Sequence, residues 1–183
     1  MHATPSQTIG PFFHVCLAEE PGGCLAGLGA EGGRITLICR VLDADAQPVN
    51  DALVELWQPD AEGIYNHPDD PRYDDRDPAF AGFGRLPTNE QGACSFQTVM
   101  PGPARQEEAP HIDVSLFARG LLKRAVTRIY FQDHPANAVD PALALLPAAR
   151  RETLIARPDP AQSSIWRFDI HLSGDRETVF FQS

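Results

Sequence analysis

Trp166-Arg-Phe-Asp-Ile-His-Leu172 alternates apolar and polar residues without a break. A period of two is incompatible with an amphipathic helix and puts Trp166, Phe168, Ile170 and Leu172 on one face of a strand. Arg167, Asp169 and His171 then face the other way. Ala52-Leu-Val-Glu-Leu-Trp-Gln58 repeats the pattern, with Ala52, Val54, Leu56 and Gln58 on one face and Leu53, Glu55 and Trp57 on the other. Further short runs rich in β-branched and aromatic residues span Arg34–Leu42, Ala93–Met100, His111–Ala118, Ala125–Phe131 and Thr178–Gln182. Turn clusters such as Asp43-Ala-Asp-Ala-Gln-Pro48 and Thr88-Asn-Glu-Gln-Gly92 separate them. Seventeen prolines and fourteen glycines suit such punctuation and oppose long helices. The expectation is an all-β chain, a two-sheet antiparallel β-sandwich with long loops and at most one short helix, over Pro141–Arg151. A length of 183 residues fits a single domain, with 1–32 as an N-terminal arm and loop region.

Charge narrows the partners. Fifteen basic against twenty-five acidic residues leave a formal net charge of −10, which disfavours nucleic acid and anionic membrane surfaces. No apolar stretch approaches the ~20 residues of a membrane span, and the N-terminus lacks the basic and apolar regions of a signal peptide. Cys16, Cys24, Cys39 and Cys94 have no metal-knuckle or C-x-x-C spacing, so they read as reduced thiols in a cytoplasmic protein.

Two places could carry chemistry. The loop over 59–82 clusters Asp69, Asp70, Asp74, Asp75 and Asp77, but its spacing is not a calcium-loop pattern and Arg72 and Arg76 interrupt it. It reads as a solvated acidic loop. His111 and Asp113 are two apart on a strand and share a face, where an imidazole and a carboxylate could hold a metal or simply each other. No third ligand follows at a recognisable spacing. Nucleophile motifs and phosphate-cradling glycine loops are absent.

Several ordered blocks resemble the intradiol ring-cleavage dioxygenases. Leu56-Trp57-Gln58-Pro-Asp-Ala-Glu-Gly63-Ile-Tyr65 is similar to that family's L/V-W-Q-A-D-A-x-G-x-Y segment. Phe80-Ala-Gly-Phe-Gly-Arg85, Val99-Met-Pro-Gly-Pro103, Ala109-Pro-His-Ile-Asp113 and Thr127-Arg-Ile-Tyr-Phe131 follow in the family's order. Thr4-Pro-Ser-Gln-Thr-Ile-Gly-Pro11, Arg150-Arg-Glu-Thr-Leu-Ile-Ala156 and Glu177-Thr-Val-Phe-Phe181 extend the resemblance to the alpha-type chain of the family's two-chain enzymes.

The resemblance implies a shared fold for both chains and a single ferric site, Fe(III), in a beta-type partner subunit. The implied ligand set is two tyrosinates and two histidines, hard anionic oxygens and imidazoles suited to Fe(III). Carried over by position, Tyr65 and His111 remain as one tyrosine and one histidine, while Ala104 and Asp113 stand where the second of each belongs. Glu108 replaces an arginine three residues before His111. The chain is therefore expected to hold no metal and to be inactive alone. Thr8, Gly10 and Pro11 in the arm, and Arg119, match residues that reach a partner's substrate pocket. Gly10-Pro11 offers a side-chain-poor wall, and Arg119 a permanent cation for an anionic catechol that reacts with O₂. A higher-order αβ oligomer is implied. Two other readings are a self-sufficient intradiol dioxygenase using Tyr65, His111 and Asp113, and a non-enzymatic transthyretin-like binding module.

Overall fold

A computed structural model describes residues 7–10, 12, 16, 17 and 22–182. Its strands are β1 (Arg34–Leu42), β2 (Leu53–Trp57), β3 (Phe83–Pro87), β4 (Ala93–Val99), β5 (His111–Phe117), β6 (Ala125–Phe131), β7 (Ile155–Pro158) and β8 (Ile165–His171). Hydrogen bonds link them in the order β3-β2-β5-β6-β7-β8-β1-β4. The all-β expectation holds. In place of two separate antiparallel sheets, however, one continuous order runs through β7, which pairs with β6 on one side and β8 on the other. The β6–β7 and β1–β8 pairs are parallel.

β3 and β7 escape a reading by pattern because Gly84 and Pro87 dilute the one and the other has only four residues, ending in Pro158. The expected final strand at Thr178–Gln182 forms no ladder. A lone bridge between Phe181 and Val126 ties it to β6, at the end that short β7 leaves uncovered. The helical candidate Pro141–Arg151 divides into α1 (Pro141–Ala144) and α2 (Ala148–Arg151). Asp140 caps α1 by accepting the Leu143 amide at 2.9 Å. Pro147 ends it, since it has no N–H to donate and disfavours helical geometry at the residue before it. No helix among the described residues is long and apolar enough to cross a membrane.

The period-two alternation places the core. Leu37, Cys39 and Val41 of β1, Phe96 of β4 and Phe168 and Ile170 of β8 are buried in one cluster with Val54 and Leu56 of β2, Val114 and Leu116 of β5 and Ile129 of β6. Cys39 and Cys94 face each other across β1 and β4. A hydrogen bond with Cys94, reinforced by burial, pushes the Cys39 thiol well above its ordinary range and leaves it unreactive.

The stretch over 22–27 was expected to belong to the arm and loop, and instead fills the gap between the two ends of the sheet. The Leu25 amide donates to the Gln97 carbonyl of β4, and the Leu25 carbonyl accepts from Ala81, both at 2.8 Å. The Arg85 amide of β3 donates to Gly22 at 2.8 Å. Both exposed edges are thereby covered and the sheet becomes nearly closed. Leu25 is fully buried at this seam. Gly84 makes room for it: a Cβ at that position would lie 2.5 Å from Leu25 Cδ1 and 3.1 Å from the Gly22 carbonyl.

Candidate functional site

Strand register lines up Phe83, Trp57, Asp113 and Arg128 as one row across β3, β2, β5 and β6. These side chains share the face opposite the main core, because their neighbours Leu56, Val114 and Ile129 point inward. One step along, His111 stands opposite Tyr130, their rings 5.5 Å apart.

Tyr65 reaches this row from the 59–82 loop, which Asp60 organises. The Asp60 carboxylate is buried and accepts the amides of Glu62 at 3.0 Å, Ile64 at 2.9 Å and Asp77 at 3.0 Å. Gly63 closes the turn at φ +81°, where a Cβ would collide with the Pro103 carbonyl. Asp70 accepts the Tyr65 amide at 3.0 Å and the Arg72 amide at 2.9 Å. The acidic loop is thus not uniformly solvated, since two of its carboxylates hold its own backbone. Tyr65 stacks on Trp57, with ring centroids 5.6 Å apart and planes 13° from parallel. Its hydroxyl points at Asp113 Oδ2, 3.5 Å away.

Asp113 is the hub of the cluster. Arg128 Nε donates to its Oδ1 at 3.1 Å, and His111 Nε2 lies 3.9 Å from the same oxygen. His111 Nδ1 is 2.8 Å from the Ala109 carbonyl, which can only accept, so that nitrogen carries a proton. Burial, and then the Asp113 anion, push the Tyr65 phenol well above its ordinary pKa, with Arg128 opposing. Burial likewise raises Tyr130 to about 12. Ala104 contributes only its carbonyl, which Arg72 Nη2 meets at 3.3 Å beside the 2.7 Å bond to Gly63.

These residues do not fit a ferric ion. One tyrosine and one histidine stand here, and the remaining carboxylate, Asp113, is already committed to the Arg128 guanidinium at 3.1 Å. Among the described residues no three His, Cys, Asp or Glu side chains gather as a metal would need. The sequence pairing of His111 with Asp113 is realised in space, and Tyr65 joins them. Arg128 is the member that sequence reading missed. Nothing in Thr127-Arg-Ile-Tyr marks it, because only the β5–β6 register puts it beside Asp113.

The arm and Arg119 lie at the other end of β5. Asp113 and Arg119 are six positions apart, about 20 Å along an extended strand. Arg119 pairs with Asp51, Nε to Oδ2 3.2 Å, with its side chain 69% exposed and that of Asp51 16%. Register explains the partner. Leu53 is opposite Phe117, so continuing the antiparallel pair by two residues sets Asp51 against Arg119. The Ile9 amide donates to the Leu121 carbonyl at 2.9 Å, docking the arm on the same β5–β6 connection. Thr8 and Gly10 flank Ile9 and are exposed. Pro11 lies outside the described residues.

Comparison with known proteins matches this frame. A dioxygenase family model covers residues 25–174. The chain is 40% identical to a protocatechuate 3,4-dioxygenase alpha chain of Burkholderia cepacia, over 97% of this chain and 96% of that one. A protocatechuate 3,4-dioxygenase beta chain of the same organism is 37% identical, over 78% of this chain and 66% of that one. Among solved structures, an intradiol ring-cleavage dioxygenase from Tetranychus urticae superposes with a TM-score of 0.66, covering 93% of this chain and 94% of that one at 22% identity. That likeness carries the fold.

Proposed function

This chain belongs to the intradiol ring-cleavage dioxygenase family, and we propose that it acts there as the alpha chain of a protocatechuate 3,4-dioxygenase. In this reading it holds no metal itself. Fe(III) sits in a homologous beta-type subunit, where protocatechuate and O₂ react and the ring opens between the two hydroxyl-bearing carbons to give 3-carboxy-cis,cis-muconate. The observation that most supports this division of labour is the Arg128–Asp113 pair at 3.1 Å, which commits the carboxylate to a guanidinium in place of a metal. The likeness to an alpha chain over nearly the full length of both chains supports it further.

The contribution of this chain is then made across the subunit boundary by Thr8, Gly10, Pro11 and Arg119. Asp51 engages the Nε side of Arg119. The terminal nitrogens can therefore take the substrate carboxylate as a fork, while the glycine backbone approaches the aromatic ring closely. Side chains at the arm need supply no proton transfer; they bind and orient. Phe12 and Leu122, exposed at 72% and 63%, lie on the arm and the β5–β6 connection and suit a covered surface in a higher-order αβ assembly. Four free thiols suit a reducing, cytoplasmic location.

Co-expression with a beta-type chain tests the proposal. The expected complex contains one iron per pair and consumes oxygen only with protocatechuate, whereas this chain alone binds negligible iron and is inactive. Stoichiometric iron with a tyrosinate charge-transfer colour in the lone chain would overturn the reading.

A further inference from the structure

The outer surface of β7, β8, β1 and β4 carries a groove of about 880 Å³, walled on one side by α2 and the turn after it. Five arginines line it: Arg40, Arg150, Arg157, Arg167 and Arg176. That is a third of all the basic residues in a chain whose formal charge is −10. Three of the five are held in ion pairs. Arg40 grips Asp169 through two nitrogens at 3.0 and 2.7 Å, Arg157 meets Glu152 at 2.9 Å, and Arg167 meets Asp159 at 2.8 Å.

Arg150 and Arg176 differ. Among the described residues neither side chain has a carboxylate within ion-pair distance or a hydrogen-bond acceptor. They also come from different walls, Arg150 from the last turn of α2 and Arg176 from the turn that follows β8. The same groove presents Ile38 and Ile155, both half-buried, and Pro158. Asp175 also lines it, yet the guanidiniums remain in excess. His171 lies on the groove's edge. Burial, then the charge of Arg176 and that of Arg40, hold its imidazole below the ordinary pKa against the opposing pull of Asp169.

A cavity with two free guanidiniums from separate elements and apolar side chains in the same groove is complementary to an elongated dianion rather than to a compact one. Arginine binds carboxylates as a fork, and the apolar side chains reward a hydrocarbon spacer. We propose that this groove is a binding site for an organic dicarboxylate, with one carboxylate on Arg150, the other on Arg176, and the carbon chain along Ile38 and Ile155. The three paired arginines are matched by their carboxylates, so the attraction for an anion at this face comes from Arg150 and Arg176, offset in part by Asp175.

Titration calorimetry of the full chain with adipate tests the site, with hexanoate, inorganic phosphate and sodium chloride as probes at matched ionic strength. The expected result is saturable adipate binding, about fivefold or more tighter than hexanoate or phosphate. Arg150→Gln and Arg176→Gln should each weaken adipate by about five- to tenfold, with thermal unfolding unchanged. Adipate binding no tighter than hexanoate or phosphate, or a heat that chloride reproduces, would overturn the proposal. So would two folded variants that keep the full affinity. None of these outcomes depends on a beta-type partner, so this site and the subunit assignment fail or stand separately.

Discussion

Asp113 changes the chemistry of everything it touches. A histidine there would leave Arg128 a partly buried cation without a carboxylate; an aspartate pairs it and adds to the effect of burial in raising the Tyr65 pKa. Asp113→Asn therefore has two expected effects. It should destabilise the chain by about 1–3 kcal/mol, because Arg128 loses a charged acceptor at a site only about a third exposed. It should also lower the Tyr65 pKa, because the anion that disfavours the phenolate is gone. Urea unfolding reads the first, and an ultraviolet titration of tyrosinate the second; an unmoved Tyr65 titration would show that Asp113 does not control it. Arg119 is the other residue on which the proposed function turns. Arg119→Ala in the assembled enzyme should raise KM for protocatechuate about tenfold with a smaller effect on kcat, the pattern of a lost binding contact. Steady-state kinetics identical to those of the unmodified enzyme would remove Arg119 from the pocket. Arg119 was legible as a position in a sequence block, but its partner Asp51 was not, since the two are 68 residues apart and only the β2–β5 register joins them.

At the scale of elements, the strands that alternate strictly are the ones that pattern reveals. β8 and β2 bury the faces their spacing assigns, because a sheet with one side on the core rewards a period of two. β3 and β7 lack that signature, and their pairing comes from neighbours that are already in place. The 22–27 stretch goes further: with three glycines in six residues it reads as loop, yet it pairs on both sides and buries Leu25. Gly84→Ala tests this seam. The new methyl would meet both Leu25 and the Gly22 carbonyl, so a loss of about 1–3 kcal/mol is expected. Faster hydrogen exchange should accompany it at the amides of Leu25 and Ala81. Unchanged exchange there would mean that the seam has slack to absorb the methyl.

For the whole molecule, the acidic balance sets how stability responds to pH. Burial works to raise the Asp70 pKa, but the amides of Arg72 and Tyr65 and the Arg72 guanidinium outweigh it and hold the carboxylate below its ordinary range. A depressed folded pKa contributes stability that is complete above the unfolded value of ~3.9 and is lost as pH falls through the folded value. The urea midpoint should accordingly drop between pH 5 and pH 2, and Asp70→Asn should flatten that drop while lowering the plateau near pH 6. An equally steep acid limb in the variant would place the sensitivity in other carboxylates. Asp159, whose pKa the Arg167 guanidinium chiefly lowers, acts in the same direction.

By itself the amino-acid sequence determined the all-β character, the inward faces of the regular strands and the family, because alternation and ordered motifs are local and survive without coordinates. Only the tertiary structure decided that one continuous sheet closes through β7 and the 22–27 seam, that Arg128 neutralises Asp113, that Asp51 holds Arg119, and that five arginines share one groove. Each of these depends on strand register, and register is settled by how distant segments bury their apolar faces together rather than by any residue's neighbours along the chain.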